Sequence, residues 1–136
     1  MKMRIEKLLS IFLWVVSLHS FGVGIGLIFL PTAAFEYLGF LIPLERFFTS
    51  QGGVFHICMS ICYALAAYDK KRFQSLIIFS LIVKLIAAVF LFAYFIFISS
   101  QLLIIFSAIT DLAMGIIIWL LHRRLFKESY FMDTMA

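Results

Sequence analysis

The sequence predicts an all-α fold, a four-helix transmembrane bundle with both termini in the cytoplasm. Three observations lead to this prediction: the extreme apolarity of the chain, four apolar runs of membrane-spanning length, and an ordered distribution of positive charge. Of the 136 residues, 65% are hydrophobic and only 13% are charged, whereas a soluble domain has about 25% charged residues. A soluble chain of this length could not hide so much apolar surface. We therefore expect the lipid bilayer as its solvent and a single integral membrane domain over residues 1–136.

The four apolar runs cover about residues 8–30, 52–68, 73–98 and 102–121. A helix needs about 20 apolar residues to cross the hydrocarbon core, so the second run is slightly short and either tilts little or begins already at Phe47. None of the runs shows the period-two alternation of a membrane strand. Helices are also favoured because their backbone hydrogen bonds are satisfied within one segment.

Positive charge is concentrated on one side of the predicted topology. Nine of the eleven Lys and Arg residues lie before the first run, between the second and third, or after the fourth: Lys2, Arg4, Lys7, Lys70, Lys71, Arg72, Arg123, Arg124 and Lys127. Arg46 is alone on the other side, and Lys84 lies within the third run. Cytoplasmic loops are enriched in Lys and Arg, so this bias predicts cytoplasmic termini and gives the net charge of +4 a topological meaning rather than a nucleic-acid partner. The first run is far longer than the apolar region of a signal peptide, so we expect an uncleaved helix.

The connections between the runs differ in length. Residues 69–72 and 99–101 form tight turns, which predicts that helices two, three and four are antiparallel neighbours. The connection from Pro31 to Gln51 is longer and rich in aromatic residues. Aromatic rings prefer the membrane–water interface, so we expect this segment to lie along the outer interface or to cap the mouth of the bundle.

Ionisable side chains occur at a similar depth in three of the predicted helices. His19, Lys84 and Asp111 each lie nine to eleven residues from the start of their run, so a rise of about 1.5 Å per residue makes them level to within about one turn. A lone charge at the bilayer centre is costly. We therefore predict an ion pair between Lys84 and Asp111, with His19 as a further hydrogen-bonding partner. His56 is expected nearer the outer face.

Helical spacing adds residues of the second run to this group. Gln51 and His56 belong to an i, i+3, i+4 stripe of small or polar residues. Its other members are Gly52, Met59, Ser60, Tyr63 and Ala67. The predicted ligand-binding or buried polar cluster comprises His19, Gln51, His56, Lys84 and Asp111. Two interpretations stay open: a functional site, since intramembrane ionisable residues usually line a cavity or pathway, or a staple that only fixes helix packing.

The other unusual residues favour structural interpretations. Gly22, Gly24 and Gly26 are typical of close helix packing. Cys58 and Cys62 lie four apart on one helix, which does not match a C-x-x-C redox motif, and are interpreted as buried apolar thiols. The spacing predicts no metal site and identifies no cofactor.

The segment Gln51–His56, the mid-helix Lys84, and Asp111 followed by Met114 and Gly115 resemble small bacterial four-helix membrane proteins of the DoxX-like family, over the whole chain. The resemblance implies four helices, cytoplasmic termini and a multi-pass protein of the bacterial inner membrane. Some DoxX-like relatives are linked to sulfur-compound oxidation with quinone, which makes a quinone one expected ligand. This chain lacks their thiol pair at C-x-x-C spacing, which argues against a redox role.

Three hypotheses about function follow. The first is a protein that binds a small hydrophobic molecule, a lipid or a quinone; it leaves an enzyme open, with Asp111 and His19 as acid–base groups and Lys84 as electrostatic partner. The second is an accessory or structural subunit of a membrane complex, in which the ion pair only locks helix packing. Proton or ion translocation ranks last, because residues 86–98 are apolar except for Tyr94. A homo-oligomer is compatible with each.

Overall fold

The computed structural model describes residues 2–40 and 45–128, and the described chain is helical without strands. Its helices are α1 (Lys2–Phe29), α2 (Thr32–Tyr37), α3 (Phe47–Tyr68), α4 (Gln74–Phe97) and α5 (Leu102–Lys127). All four long helices are apolar enough to cross a membrane, and even the 22 residues of α3 extend about 33 Å at 1.5 Å per residue. The predicted all-α four-helix bundle is confirmed, and the chain is a multi-pass membrane protein.

The helix ends differ from the apolar runs by more than one residue at three places. The prediction that the second helix starts at residue 52 is wrong, because α3 begins at Phe47, the alternative start that the sequence left open. The first helix begins at Lys2 rather than residue 8, and the last continues to Lys127 rather than residue 121. Charged side chains can extend a helix into the headgroup region, where water and lipid phosphates solvate them. Hydropathy therefore marks the part of a helix inside the hydrocarbon core rather than its ends.

The four long helices form a closed ring. Each packs against its neighbour along the chain, and α5 completes the ring against α1. The expected antiparallel order of the last three long helices is confirmed. The closest packing joins α1 to α3 and α4 to α5, so the bundle consists of two tight helix pairs set side by side.

The contact between α1 and α3 is a seam of small residues. Three facing pairs, seven residues apart on each helix, form this seam: Ser10 with Ala67, Ser17 with Ser60, and Gly24 with Gly53. The two serine hydroxyls donate hydrogen bonds to the carbonyl oxygens opposite, at 2.6 and 2.8 Å. A seven-residue repeat keeps one face of each helix toward its partner when the helices cross at the shallow left-handed angle. The two backbones approach closely because no seam position has a large side chain.

The apolar core occupies one half of the bundle. Its buried members all lie toward the end that holds the start of α1, the α3–α4 turn and the end of α5: Leu9, Leu13, Val16, Tyr63, Ala66, Ala67, Ile77, Ile118, Leu121 and Leu125. We call this the basic end, because nine of the eleven Lys and Arg residues lie there, and the opposite end the aromatic end. Toward the aromatic end most buried long-helix residues are small, such as Gly24, Gly53, Ala88 and Ala108. The two helix pairs are thus joined mainly through the basic half.

The connection after α1 contacts the C-terminal end of α1 and the residue before α5. Phe35 of α2 is buried, and the Arg46 guanidinium lies 5.5 Å from the centre of its ring. Arg46 also donates a hydrogen bond to the carbonyl oxygen of Leu27, at 3.2 Å, near the C-terminal end of α1. Gly39, in a turn with φ of +86°, accepts a hydrogen bond from the Gln101 side chain before α5. Whether this connection lies along the outer interface or caps the mouth of the bundle stays a prediction; Pro43 lies outside the described residues.

Candidate functional site

Lys84 and Asp111 form an ion pair inside the bundle. Lys84 Nζ lies 2.5 Å from Asp111 Oδ1, and the two side chains are only 5% and 13% exposed. The predicted contact between these residues is confirmed. The two opposite charges neutralise each other inside the bundle. An isolated charge at this depth would cost several kcal/mol.

The inward faces of α4 and α5 explain why these two residues meet. The buried positions of α4 are Ile77, Ser80, Lys84 and Ala88, at helical spacings of three and four. Asp111 continues the same alternation on α5, between buried Ala108 and buried Gly115. An added Cβ at Gly115 would lie 3.5 Å from Lys84 Cβ, so this glycine lets the lysine backbone approach α5. Both ionisable residues therefore occupy positions that a core residue would otherwise fill.

Tyr63 is a member of this site that the sequence prediction did not include. Its side chain is buried, and the Lys84 ammonium lies 5.7 Å from the centre of its ring. A cation within about 6 Å of an aromatic face is attracted to it. Tyr63 lies seven residues after His56, on the stripe predicted for this helix. The helical spacing was a sufficient signal for its orientation, but an inward aromatic residue is usually core.

The two histidines lie at nearly one level on α1 and α3. Ser20 donates a hydrogen bond to the carbonyl oxygen of His56 at 3.0 Å, and its hydroxyl is 3.3 Å from His56 Nδ1. Since His19 is adjacent to Ser20, the prediction that His56 lies nearer the outer face is wrong. The reason is the early start of α3 at Phe47, which moves His56 five residues deeper into the helix than a start at residue 52 implied.

His19 is exposed and does not join the ion pair directly. Within the described residues it forms no hydrogen bond with Lys84 or Asp111, so the predicted third partner is wrong. The sequence predicted the depth of His19 along α1 but not the rotation of α1 about its axis, and this rotation turns the side chain outward. The imidazole rings of His19 and His56 are nevertheless within electrostatic range of Lys84 and Asp111.

His19 lines a lateral groove at the aromatic end, which we call the His19 groove. The groove has a volume of about 470 Å³. Its other lining residues are apolar. They come from α1, α2, the single residues after these two helices, and the start of α5: Leu18, Gly22, Val23, Gly26, Leu27, Leu30, Phe35, Leu38 and Leu103. His19 is thus the ionisable side chain on an otherwise apolar surface.

Gln51 lies apart from the other predicted site residues. It is exposed in the first turns of α3, and among the described residues it makes no hydrogen bond with the other four. The structure therefore brings Lys84 and Asp111 into contact, holds His19 and His56 nearby, and leaves Gln51 on the surface. That this group binds a ligand stays a prediction.

The cysteines lie on the outside of α3. Both thiols are free; Cys58 is exposed and Cys62 is partly buried. The interpretation of Cys58 as a buried thiol is therefore wrong, because its helix face points away from the other helices. Within residues 2–40 and 45–128, no group of three His, Cys, Asp or Glu side chains is placed to hold a metal ion.

No protein-family model, curated protein or solved structure matches this chain. The resemblance to DoxX-like proteins accordingly stays a prediction from the residues quoted for it. Chemically, the site combines a neutralised ion pair inside the bundle with an imidazole that can exchange hydrogen bonds at a lipid-facing surface.

Proposed function

We propose that this protein binds a small hydrophobic molecule with a hydrogen-bonding headgroup in the His19 groove. The observation that supports the proposal is the exposure of His19 on an apolar groove wall within a membrane-spanning helix. An ionisable side chain is expensive in hydrocarbon and is usually found where it lines a pathway or pairs with a partner. His19 has no such protein partner in the described residues, so a ligand headgroup would supply one.

The lining chemistry indicates the class of ligand. A neutral imidazole offers one hydrogen-bond donor and one acceptor, which suits a carbonyl or hydroxyl headgroup. The leucine side chains and Phe35 suit an isoprenoid or acyl chain, and about 470 Å³ lies within the usual range for small-molecule sites. A quinone or a lipid with a carbonyl headgroup meets both conditions, and the nearby Lys84–Asp111 pair would set the electric field at that headgroup.

The second candidate is a structural or accessory subunit in which the ion pair only locks helix packing. Its support is the pair itself, which is close and neutral overall, with both side chains largely enclosed. Under this proposal the His19 groove takes bulk lipid without preference. The two candidates differ in what happens when the groove is filled or the pair is removed.

A leucine in place of Gly22 is expected to block the groove without disturbing the bundle. A Cβ at Gly22 has no atom within 4 Å, and Gly22 lines the groove. Labelling with a photoreactive quinone and a photoreactive fatty acid, in nanodiscs, followed by peptide mapping, should mark residues 18–30 and 35–38 in the unaltered protein. Unlabelled probe should compete, and Gly22→Leu should reduce the competed labelling about tenfold, a loss of about 1.4 kcal/mol in binding.

Ala113→Leu is the matched control for this experiment. It places the same side chain at an exposed position of α5 that does not line the His19 groove. The control should keep wild-type labelling. Labelling spread over all lipid-facing helices, or labelling that unlabelled probe does not reduce, would contradict a specific site and leave the structural candidate.

For topology we propose that the basic end faces the cytoplasm, with both termini there, in a bacterial inner membrane. The charge bias supports the orientation, and the DoxX-like resemblance supports the membrane. Arg46, the one Lys or Arg of the aromatic end, is accounted for by its contacts with Phe35 and the end of α1. Reporter domains fused after residue 136 should be active only if they function in the cytoplasm.

A further inference from the structure

A second groove lies at the basic end of the bundle, on the opposite side of the membrane from the His19 groove. It has a volume of about 600 Å³ and runs between the start of α1 and the end of α5. Seven residues line it: Arg4, Ile5, Leu8, Leu121, Arg124, Lys127 and Glu128. We propose that this groove binds an anionic phospholipid, with the phosphate on its cations and an acyl chain on its leucines. We call it the basic groove.

The cations of the basic groove have no partner among residues 2–40 and 45–128. Among the described residues, the side chains of Arg4, Arg124 and Lys127 form no ion pair or hydrogen bond. Other cations of this end are engaged: Lys70 lies 3.9 Å from the Glu6 carboxylate, Arg123 stacks on Trp119 and Arg72 on Phe73. Three unpaired cations against one carboxylate leave the groove with a positive charge that a headgroup phosphate would complement.

The apolar and acidic residues of the basic groove narrow the choice of occupant. The groove extends toward the hydrocarbon core along Ile5, Leu8 and Leu121. An acyl chain can pack on these apolar side chains, whereas a free anion cannot. Glu128 has a buried carboxylate oxygen without a hydrogen-bond partner among the described residues. A headgroup hydroxyl, as in phosphatidylglycerol, could donate to that oxygen while the phosphate contacts Arg4 and Arg124. The combination fits a glycerophospholipid rather than inorganic phosphate.

Native mass spectrometry of the delipidated full chain, titrated with phosphatidylglycerol or phosphatidylcholine, tests this proposal. We expect one tightly retained phosphatidylglycerol and at least tenfold weaker retention of phosphatidylcholine. Arg4→Gln combined with Arg124→Gln should weaken phosphatidylglycerol binding by about tenfold or more, since each basic residue near a membrane surface contributes appreciably to anionic-lipid attraction. The matched control, Arg72→Gln with Arg123→Gln, removes the same charge from the same end outside the groove and should change binding less than about twofold.

Three results would overturn the assignment. The first is an equal loss of phosphatidylglycerol binding in the Arg4/Arg124 variant and in the Arg72/Arg123 variant, which would show that only net charge matters. The second is displacement of the lipid by millimolar inorganic phosphate, which would show a free-anion site. The third is tight lipid retention only after removal of residues 129–136, which would show that the chain's own C-terminal segment occupies the groove.

Discussion

Replacing Lys84 by Met is expected to lower the free energy of unfolding by about 3–5 kcal/mol, the usual cost of breaking a buried ion pair from one side. The substitution removes the cation that contacts the Asp111 carboxylate, whose side chain is only 13% exposed in the unaltered protein. Asp111→Leu should be comparably harmful, because it leaves the ammonium of Lys84, on a side chain that is only 5% exposed, without an anion. Reversible unfolding in mixed micelles, followed by helical circular dichroism, measures both changes.

The double variant separates the interaction energy of the ion pair from the cost of leaving one buried charge without its partner. Lys84→Met with Asp111→Leu removes both charges and keeps apolar volume on the two helices, so we expect it to recover most of the lost stability. A double variant whose destabilisation equals the sum of the single ones would contradict coupling across the 2.5 Å contact. Glu6→Gln is the control: its partner Lys70 is 3.9 Å away, and this peripheral pair should contribute less than about 1 kcal/mol.

The same double variant shows whether the ion pair acts on the proposed ligand site or only on helix packing. A stable double variant that still labels with the photoreactive quinone like the unaltered protein would show that Lys84 and Asp111 act only on packing. Loss of competed labelling in a stably folded double variant would instead assign the pair to the site beside His19. The measurement is decisive only because stability and labelling are determined on one preparation.

The ion pair was predictable because its energetics leave little choice. Two opposite charges at one depth in adjacent helices must compensate each other, whatever the details of packing. The outward direction of His19 was not predictable, because depth is set by residue count whereas direction depends on how α1 rotates against α3. That rotation follows from the small-residue seam, whose register becomes evident only when the two helices are placed together. Tyr63 was predicted to face inward but was not counted in the polar cluster, since nothing distinguishes it from an ordinary core residue until the Lys84 ammonium is located near its ring.

The glycines of α1 also show that the sequence predicts the depth of a residue better than the direction in which it points. Gly22, Gly24 and Gly26 were all expected at a packing contact, but they play different parts. Only Gly24 lies in the seam; Gly22 has no atom near its missing Cβ, and Gly26 meets only Leu30, the residue directly after α1. Residues at spacing two point in different directions on a helix, so at most one of two such neighbours can face α3.

Gly24→Ala is therefore expected to destabilise the bundle by about 2–3 kcal/mol, as overpacking does. The new Cβ would lie 2.7 Å from the carbonyl oxygen of Gly53 and 2.8 Å from Ile57 Cγ1. A side-chain atom can rotate away, but the backbone oxygen cannot, so α1 and α3 must separate. Separation also lengthens the hydrogen bond from Ser17 to Ser60 one heptad away, at 2.8 Å in the seam. Unfolding in mixed micelles, with hydrogen exchange across α3, measures both effects.

Gly22→Ala is the matched comparison, on the same helix and two residues away. Its Cβ meets nothing within 4 Å, so the better helix propensity of alanine should leave the protein equally stable or more stable by up to about 1 kcal/mol. Gly53→Ala and Gly52→Ala repeat the contrast from α3, with a 2.7 Å contact to Gly24 O in the first and a 3.9 Å contact in the second. Equal effects within either pair would contradict the seam. Because Ser20 donates a hydrogen bond to His56 and is the neighbour of His19 on α1, a shift of α1 along the seam should also alter labelling of the His19 groove.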